Sequence, residues 1–277
     1  MNLEARHAHP GDWLAVEALN QRACRTFPRL WPWEEHLAHD PFVTVEHEGI
    51  VVGALLAWPD ESPVAWVRLA TLDDALDVDA WLGLTLPPVL DRLRRLGTRA
   101  LAWMDYGGWA GPCLSAHGFR RLAEVMTLVK LDRALPDTSG VDARLRQASD
   151  ADIPAVVAVD RAAFTPHWWH SEATMRRRAA ASSHFTVAEM AGEVVAYAEG
   201  VLHLPGAHLN RIAVHPSHQN HGIGALLLDD ALRALWQHEA ERVTLNTQTG
   251  NRSSQRLYRR FGFEPTGNLM RVWELPL

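Results

Sequence analysis

The chain has 277 residues, of which 47% are hydrophobic, and its 27 basic and 33 acidic residues give a net charge of −6. That length suits two domains with buried cores, the apolar runs are too short to span a membrane, and the basic residues are too scattered for a nucleic-acid surface. Two cysteines, Cys24 and Cys113, favour reduced thiols over a disulfide framework, and without a visible secretion signal the sequence predicts a cytoplasmic protein.

The two halves of the chain echo each other at four places, in the same order. Each match taken alone could be chance, but the shared order predicts two copies of one fold. The polar, turn-rich stretch Pro136–Gly140 is the predicted join, so that residues 1–136 and 141–277 form the two domains. The matching segments are Arg6–Val16 with Arg146–Val156, Phe42–Val52 with Phe185–Val195, His117–Phe119 with Phe261–Phe263, and Met126–Leu131 with Met270–Leu275.

The first half contains a predicted strand from Val64 to Ala70. The turn that follows reads Thr71-Leu72-Asp73-Asp74-Ala75. It has no glycine pair, and its two aspartates would repel an anion.

The second half combines helical and strand periodicity, which predicts an α+β domain with a central mixed sheet flanked by helices. Ser149–Asp152 supplies helix-capping side chains before an apolar helical stripe. The predicted elements are that helix through Phe164, a helix at Glu172–Ala181, strands at His184–Met190, Glu193–Leu204 and Leu209–Val214, a helix at Gly222–His238, a strand at Arg242–Thr249 and a helix carrying Leu257.

The turn between Val214 and the helix from Gly222 forms a potential anion site. The first N–H groups of a helix have no intrahelical partners, and they carry the positive end of the helix dipole. Glycine lets a diphosphate approach them closely, because no Cβ atom is present. A helix start without a ligand is the alternative, whereas a nucleotide P-loop is disfavoured because no Gly-Lys-Ser/Thr follows.

The spacing Gln219-x-x-Gly222-x-Gly224 resembles the acyl-coenzyme A loop of the GNAT superfamily of N-acetyltransferases. The preceding strand, Asn210–Pro216, is also similar to that family, as are Asn251 and the segment Leu257–Glu264 with its Tyr258. Together these motifs cover about the last 130 residues, in the family's order and spacing. The whole chain therefore resembles a tandem GNAT protein, two domains that each have a mostly antiparallel mixed sheet. The organisation is distantly similar to that of mycothiol synthases, whose first half, however, keeps a cofactor loop.

The resemblance implies acetyl-coenzyme A as co-substrate. Backbone N–H groups of the loop would hold the diphosphate, and the strand before it would pair with the pantetheine arm and polarise the thioester carbonyl. The loop residues are Gln219, Asn220, His221, Gly222, Ile223, Gly224 and Ala225, and the strand residues are Ile212, Ala213 and Val214.

Two further residues match functional positions of the family. Asn251 matches a residue whose amide contacts the cofactor arm, and it would also serve as a helix N-cap. Tyr258 matches the general acid that protonates the departing thiolate, and the alternative is a tyrosine that packs its helix against the core.

The proton acceptor is less defined. Alternation along Glu193–Leu204 places Tyr197, Glu199 and His203 on one face. Glu199, or else His203, is predicted to take the amine's proton, and an exposed glutamate and a solvated histidine are the alternatives. His208, Asn210 and His215 are weaker candidates.

Two aromatic pairs and the histidines offer other sites. Trp168-Trp169 and Trp31-Pro32-Trp33 could cover a substrate or be buried rings. The histidines show no convincing metal-ligand spacing, so no metal is expected.

These residues predict an enzyme that transfers an acetyl group directly to a primary amine, either of a small molecule or of a peptide N-terminus. An acyl-coenzyme A sensor without turnover, or a transferase with a different acyl donor, is the alternative. Gly107 and Leu114 stand where the second half has Asn251 and Tyr258, so the first half is predicted to be a degenerate copy. Nucleic acid and membrane are not expected partners, and the oligomeric state is left open.

Overall fold

The computed structural model of the protein describes residues 2–28 and 40–277. By their contacts these residues form two compact units. The first unit runs to Ala123 and includes Met270–Leu277, and the second unit comprises Glu124–Leu269.

Helices and strands alternate along the chain. The first half contains β1 (Leu3–His7), α1 (Trp13–Arg22), β2 (Arg25–Thr26), β3 (Phe42–His47), β4 (Ile50–Pro59), β5 (Val64–Leu72), α2 (Val78–Arg95), β6 (Ala100–Asp105), α3 (Gly111–Leu114) and β7 (Arg120–Lys130). The second half contains β8 (Arg144–Gln147), α4 (Ile153–Ala163), α5 (Glu172–Ala181), β9 (His184–Met190), β10 (Glu193–His203), β11 (Gly206–Val214), α6 (Ile223–Gln237), β12 (Arg242–Gln248), α7 (Arg252–Arg260) and β13 (Glu264–Pro276).

Each unit has a mostly antiparallel sheet with one parallel pair, which confirms the predicted α+β class. The strand order in the first unit is β1-β3-β4-β5-β6 and then the end of β13, with β5 and β6 parallel. In the second unit the order is β7-β12-β11-β10-β9-β8, with β11 and β12 parallel. There α4 packs against Tyr197 and Ala213, whereas α6 packs against Ala196 and Ala198 on the other face of the sheet.

The ends of the units differ from the division expected at residues 136–141. Residues 125–130 pair with 243–248 inside the second unit, whereas Arg271–Pro276 pairs with Ala100–Asp105 inside the first. Each copy thus supplies the last strand of the other unit. Strand partners follow from long-range pairing, which the repeats in the sequence do not encode.

One ion-pair arrangement occurs in both units, at the first of the matching segments. An arginine on the first strand of each copy binds an aspartate just before the following helix and a glutamate on the next long strand. The arginine–aspartate distances are 2.6–2.8 Å, and a backbone N–H three residues before each aspartate also donates to it at 2.7 Å. The residues are Arg6 with Asp12 and Glu46, and Arg146 with Asp152 and Glu189.

The parallel strands of the second unit separate part-way along. β11 and β12 are in register only where residues 206–209 face residues 242–245. Beyond that point β11 stays paired with β10 as far as Val214, but no strand within residues 2–28 and 40–277 pairs with its other edge. This divergence leaves the edge of residues 210–214 free, beside an opening in the sheet.

A β-bulge marks the point of separation. Glu199 faces Arg211 and Gly200 faces Leu209, so that Asn210 is the extra residue on β11. A bulge bends a strand and disrupts the ladder locally, which is why the free edge begins here. The sequence analysis did not predict this feature.

Membrane-spanning helices are not found within the described ranges 2–28 and 40–277, where no helix has both the length and the apolar content to cross a bilayer.

Candidate active site

The loop predicted to bind an anion, residues 215–222, follows directly on the free edge of β11. Asn220 (φ 65°) and Gly222 (φ 85°) have left-handed backbone conformations, and α6 begins at Ile223. A Cβ atom on Gly222 would lie 2.7 Å from Cγ2 of Val141. Both the backbone angle and this close approach therefore require glycine at residue 222.

Backbone N–H groups in this loop have no internal partners. The amides of residues 220–224 donate no hydrogen bond to any part of the chain that the structure describes, and residues 220–222 are exposed. The amide of Gln219 donates to Pro216 at 3.4 Å and that of Ala225 to Gly222 at 2.9 Å. Of the seven predicted loop residues, Asn220, His221, Gly222, Ile223 and Gly224 thus offer donors, at the positive end of the α6 dipole.

Side chains hold the loop in this shape. The Gln219 amide nitrogen donates to the Val214 carbonyl at 3.0 Å, which ties the loop back to the end of β11. The Ser217 hydroxyl contacts ring nitrogens of His215 at 2.6 Å and His218 at 2.8 Å. The loop geometry is therefore set before any ligand is present.

The three predicted strand residues lie on the free edge of β11. Ile212, Ala213 and Val214 face Ala198, Tyr197 and Ala196 of β10. Ala213 packs toward α4, and the other two toward α6. Their side chains are core residues, so any contact with a ligand would be made by the backbone.

Asn251 caps α7, since its side-chain oxygen accepts a hydrogen bond from the Ser254 amide at 3.1 Å. The residue is exposed, and no described residue hydrogen-bonds its side-chain nitrogen. Both roles considered for Asn251 are therefore compatible with its position.

Tyr258 lies on α7 and is 5% exposed. Its ring packs at 5.8 Å from that of Phe263, in an edge-to-face geometry. Burial raises the pKa of the phenol, and a hydrogen bond with the Ser254 side chain partly opposes this rise. The phenol therefore stays protonated at neutral pH, as a general acid must.

Glu199 is almost completely buried, with 1% exposure. Its carboxylate accepts hydrogen bonds from Arg178 Nε at 2.8 Å, from the Ser182 hydroxyl at 3.0 Å and from the Asn210 amide at 2.8 Å. Both carboxylate oxygens are thus engaged, and one of them fixes the bulge residue. The role of Glu199 as base stays a prediction.

A second buried ion pair, between Arg211 and Asp160 of α4, lies on the same face of the sheet. Arg211 Nε is 2.7 Å from Asp160 Oδ1, and the Tyr197 hydroxyl hydrogen-bonds the same carboxylate. Arg211 also donates to the Trp168 carbonyl and lies 3.9 Å from the centre of the Phe164 ring. Sequence reasoning missed this network, although an arginine within an apolar strand was a visible signal.

The remaining candidates lie elsewhere. His203 is exposed at the end of β10. Trp169 donates from its indole to the Phe164 carbonyl at 2.8 Å, and Trp168 is half-buried. Trp31-Pro32-Trp33 lies outside the described residues, and within the described ones no three side chains could share a metal ion.

The first unit has the same strand geometry but a different turn. β5 pairs with β6 only over residues 64–66, and Arg68 is the extra residue of its bulge. Carboxylates of this turn accept hydrogen bonds from backbone N–H groups: Asp73 accepts from Ala75 in the turn, Asp77 from Ala80 in the first turn of α2, and Asp74 from Cys24, just before β2.

Aromatic side chains occupy the interior beside this turn. Trp103, just past the last residue of β6 that pairs with β5, packs against Phe27, Trp81 and Trp109 with ring centroids 5.6–6.3 Å apart. At the position equivalent to Tyr258 stands Leu114, whose carbonyl accepts the Phe119 amide as that of Tyr258 accepts Phe263.

Comparison with known proteins identifies the second unit. Residues 153–263 match the acetyltransferase (GNAT) family. The second unit therefore contains a domain of the GNAT acetyltransferase family, which makes the protein an acyltransferase.

A relative of this chain is known in Bacillus subtilis (strain 168). Over 125 residues, 45% of the chain and 83% of the relative, the two are 25% identical. That relative is provisionally named as a [ribosomal protein bS18]-alanine N-acetyltransferase.

Solved GNAT structures share the fold of the whole chain. A GCN5-related N-acetyltransferase from Sphaerobacter thermophilus has a TM-score of 0.67 and 16% identity, over 99% of this chain and 95% of that one. A tandem GNAT protein from the clavulanic acid biosynthesis pathway has a TM-score of 0.65 and 18% identity, over 99% and 98%. These likenesses confirm the predicted tandem GNAT fold.

Proposed function

We propose that this GNAT protein transfers an acetyl group from acetyl-coenzyme A to a primary amine, and that its second unit performs the reaction. The observation that carries the proposal is the row of unpartnered amides at residues 220–224, at the end of a strand with a free edge. An array of fixed N–H donors suits the oxygens of a diphosphate. The donors present therefore fit the phosphate part of coenzyme A.

The free edge of β11 suits the pantetheine arm of the same molecule. An extended chain with amide groups adds to an exposed strand edge through backbone hydrogen bonds. Residues 210–214 supply such an edge, and it leads into the loop that would hold the diphosphate. One of these backbone N–H groups would polarise the thioester carbonyl, which lowers the cost of charge on its oxygen.

The transfer itself needs a proton for the departing sulfur. In our proposal the Tyr258 phenol donates it, and the phenolate regains a proton from solvent. Burial keeps that phenol protonated across the neutral range, and Asn251 at the start of the same helix holds the cofactor arm.

We assign Glu199 to the geometry of the site. Its carboxylate fixes Asn210 at the bulge and neutralises Arg178, so the residue maintains the point at which β11 leaves β12. Direct proton transfer to Glu199 stays the alternative that the sequence predicts. A Glu199→Gln variant distinguishes the two roles by its effect on stability, because only the loss of a structural role should lower the free energy of unfolding.

The acceptor is proposed to be a small amine or a peptide N-terminus. The name of the Bacillus subtilis relative supports the second class, since it refers to an alanine amine of a ribosomal protein. A cytoplasmic location also stays part of the proposal.

Calorimetry and a thiol-release assay test this function together. We expect saturable acetyl-coenzyme A binding, and free thiol release when an amine panel includes peptides with N-terminal alanine. Competition with longer acyl-coenzyme A compounds tests the acyl group. Absence of binding to correctly folded protein would overturn the proposal, and tight binding without thiol release for any amine would indicate a sensor instead.

A further inference from the structure

His208 lies on β11, two residues before the bulge at Asn210. Its neighbours Ala207 and Leu209 pack into the core on the α6 side, so the imidazole points to the opposite face of the sheet. Asn210 and Glu199 hydrogen-bond on that same face. His208 therefore lies where the cleft between β11 and β12 begins, on the side covered by α4 and α5.

Thr244 of β12 determines which ring nitrogen of His208 carries the proton. The Thr244 hydroxyl donates to the Ala207 carbonyl at 3.1 Å, and its oxygen lies 2.8 Å from His208 Nδ1. Because the hydroxyl has one proton and a carbonyl only accepts, both contacts are hydrogen bonds only when Nδ1 donates to the hydroxyl oxygen. The neutral ring then has its lone pair on Nε2.

Nε2 is available to a ligand. No described residue hydrogen-bonds it, and it is not fully buried. A neutral imidazole with its other nitrogen fixed by a hydrogen bond is the usual form of a histidine that accepts a proton.

The surroundings keep this imidazole neutral. Burial, with smaller contributions from His203 of β10 and Arg178 of α5, lowers the pKa of His208 to about 4, and Glu199 opposes this shift. Above pH 5 the ring is therefore uncharged, and it can accept a hydrogen bond from an incoming amine.

The geometry assigns His208 as the residue that receives the proton of the acceptor amine, an inference that rests on the proposed acetyl transfer. The amine lone pair forms the C–N bond, and the carbonyl electron pair moves to oxygen. When that pair returns, the C–S bond breaks, the nitrogen proton passes to His208 Nε2, and the sulfur takes the Tyr258 proton. Solvent then removes the proton from the imidazolium and restores the phenol, so that the net products are the amide and free thiol.

A weak base suffices for this step. The nitrogen becomes strongly acidic as the amide forms, so that even an imidazole of low pKa accepts its proton. Glu199, by contrast, has both oxygens engaged by Arg178, Ser182 and Asn210. Thr244 acts through His208 and is a positioning residue.

Substitutions separate these roles. His208→Gln keeps a hydrogen-bonding side chain but cannot take a proton, and we expect turnover to fall by about 10²–10⁴-fold with unchanged acetyl-coenzyme A affinity. Thr244→Val should lower turnover and leave KM for acetyl-coenzyme A unchanged, whereas Thr244→Ser should restore turnover. His238→Gln, at the exposed end of α6, is the matched control.

Nitrogen NMR of the histidine side chains provides a readout without turnover. We expect His208 to be neutral at pH 6 with the proton on Nδ1, and Thr244→Val to abolish this preference. A proton on Nε2, or full turnover in a folded His208→Gln variant, would overturn the assignment, as would loss of turnover in His203→Gln alone. If the wild-type protein acetylates no amine, the proposed function fails and this assignment fails with it.

Discussion

Arg211 and Asp160 form a two-point ion pair beside the free edge of β11, with Nε–Oδ1 at 2.7 Å and Nη2–Oδ2 at 3.0 Å. Asp160 is fully buried, and the arginine side chain is 10% exposed. The pair joins α4 and the segment before α5 to the strand that we propose to hold the cofactor arm. We therefore expect the shape of the site to depend on this ion pair.

Replacing Asp160 by Asn should destabilise the second unit. The substitution leaves the Arg211 guanidinium buried without its counter-charge, which typically costs about 3–5 kcal/mol. Urea unfolding measures the loss. Glu172→Gln is the control, because it removes the same charge from a half-exposed pair with Arg176, and its effect should stay within about 1 kcal/mol. Equal effects of the two variants would contradict this account.

Tyr258→Phe should lower turnover by about 10²-fold or more and leave acetyl-coenzyme A affinity unchanged. The ring still packs against Phe263, so that only the proton donor is lost. Steady-state kinetics and calorimetry on the same preparation check this. Tyr106→Phe in the first unit removes a partly buried phenol outside the proposed site and should have no effect on turnover. Unchanged turnover in Tyr258→Phe would remove its role as acid.

Gly222→Ala should weaken acetyl-coenzyme A binding by about tenfold or more, since a lost charged hydrogen bond costs about 1.5–3 kcal/mol. The new methyl group would meet Val141 and move the N–H groups of the loop. Gly192→Ala is the control, because Gly192 has nearly the same φ (84°) but open space around its Cβ position. Equal affinities of the two variants would show that the loop amides do not bind the cofactor.

The chain should bind one acetyl-coenzyme A, not two. In the first unit, Asp73 and Asp77 occupy the N–H groups of Ala75 and Ala80 in the corresponding turn and helix start, and together with Asp74 they add negative charge. Calorimetric stoichiometry tests this directly. A second saturable site that survives Gly222→Ala would refute it.

Protonation of His208 should make the folded state less stable in mild acid. Its pKa is near 6.5 when exposed and about 4 when folded, so the unfolded chain binds more protons between these values. Stability therefore falls as pH falls through this window, by up to roughly 3 kcal/mol at pH 4. Comparing urea unfolding of wild type and His208→Gln between pH 7 and 4.5 isolates this contribution, and parallel curves would contradict it.

Local patterns predicted the elements of the second half well. α5 and β9 begin and end at the predicted residues, because the Ser171 cap of α5 and the tight Ala191-Gly192 turn after β9 are encoded locally. The matching segments Arg6–Val16 and Arg146–Val156 contain the arginine and the aspartate of the ion-pair arrangement that both units share, although the sequence analysis did not predict the ion pair itself.

Features that depend on long-range contacts could not be predicted from local sequence patterns. The bulge at Asn210 depends on how β10 and β11 pair, and the burial of Glu199 depends on Arg178 from α5. The exchange of last strands depends on which edges meet. In each case the deciding partner lies far away along the chain, where periodicity carries no information.

The strand exchange also constrains how the protein is made. Because Met270–Leu277 completes the sheet of the first unit beside β6, that unit cannot finish folding during synthesis until these residues have left the ribosome. A premature stop codon near residue 269 would therefore impair folding of the amino-terminal half, although that half lies far from the truncation along the chain.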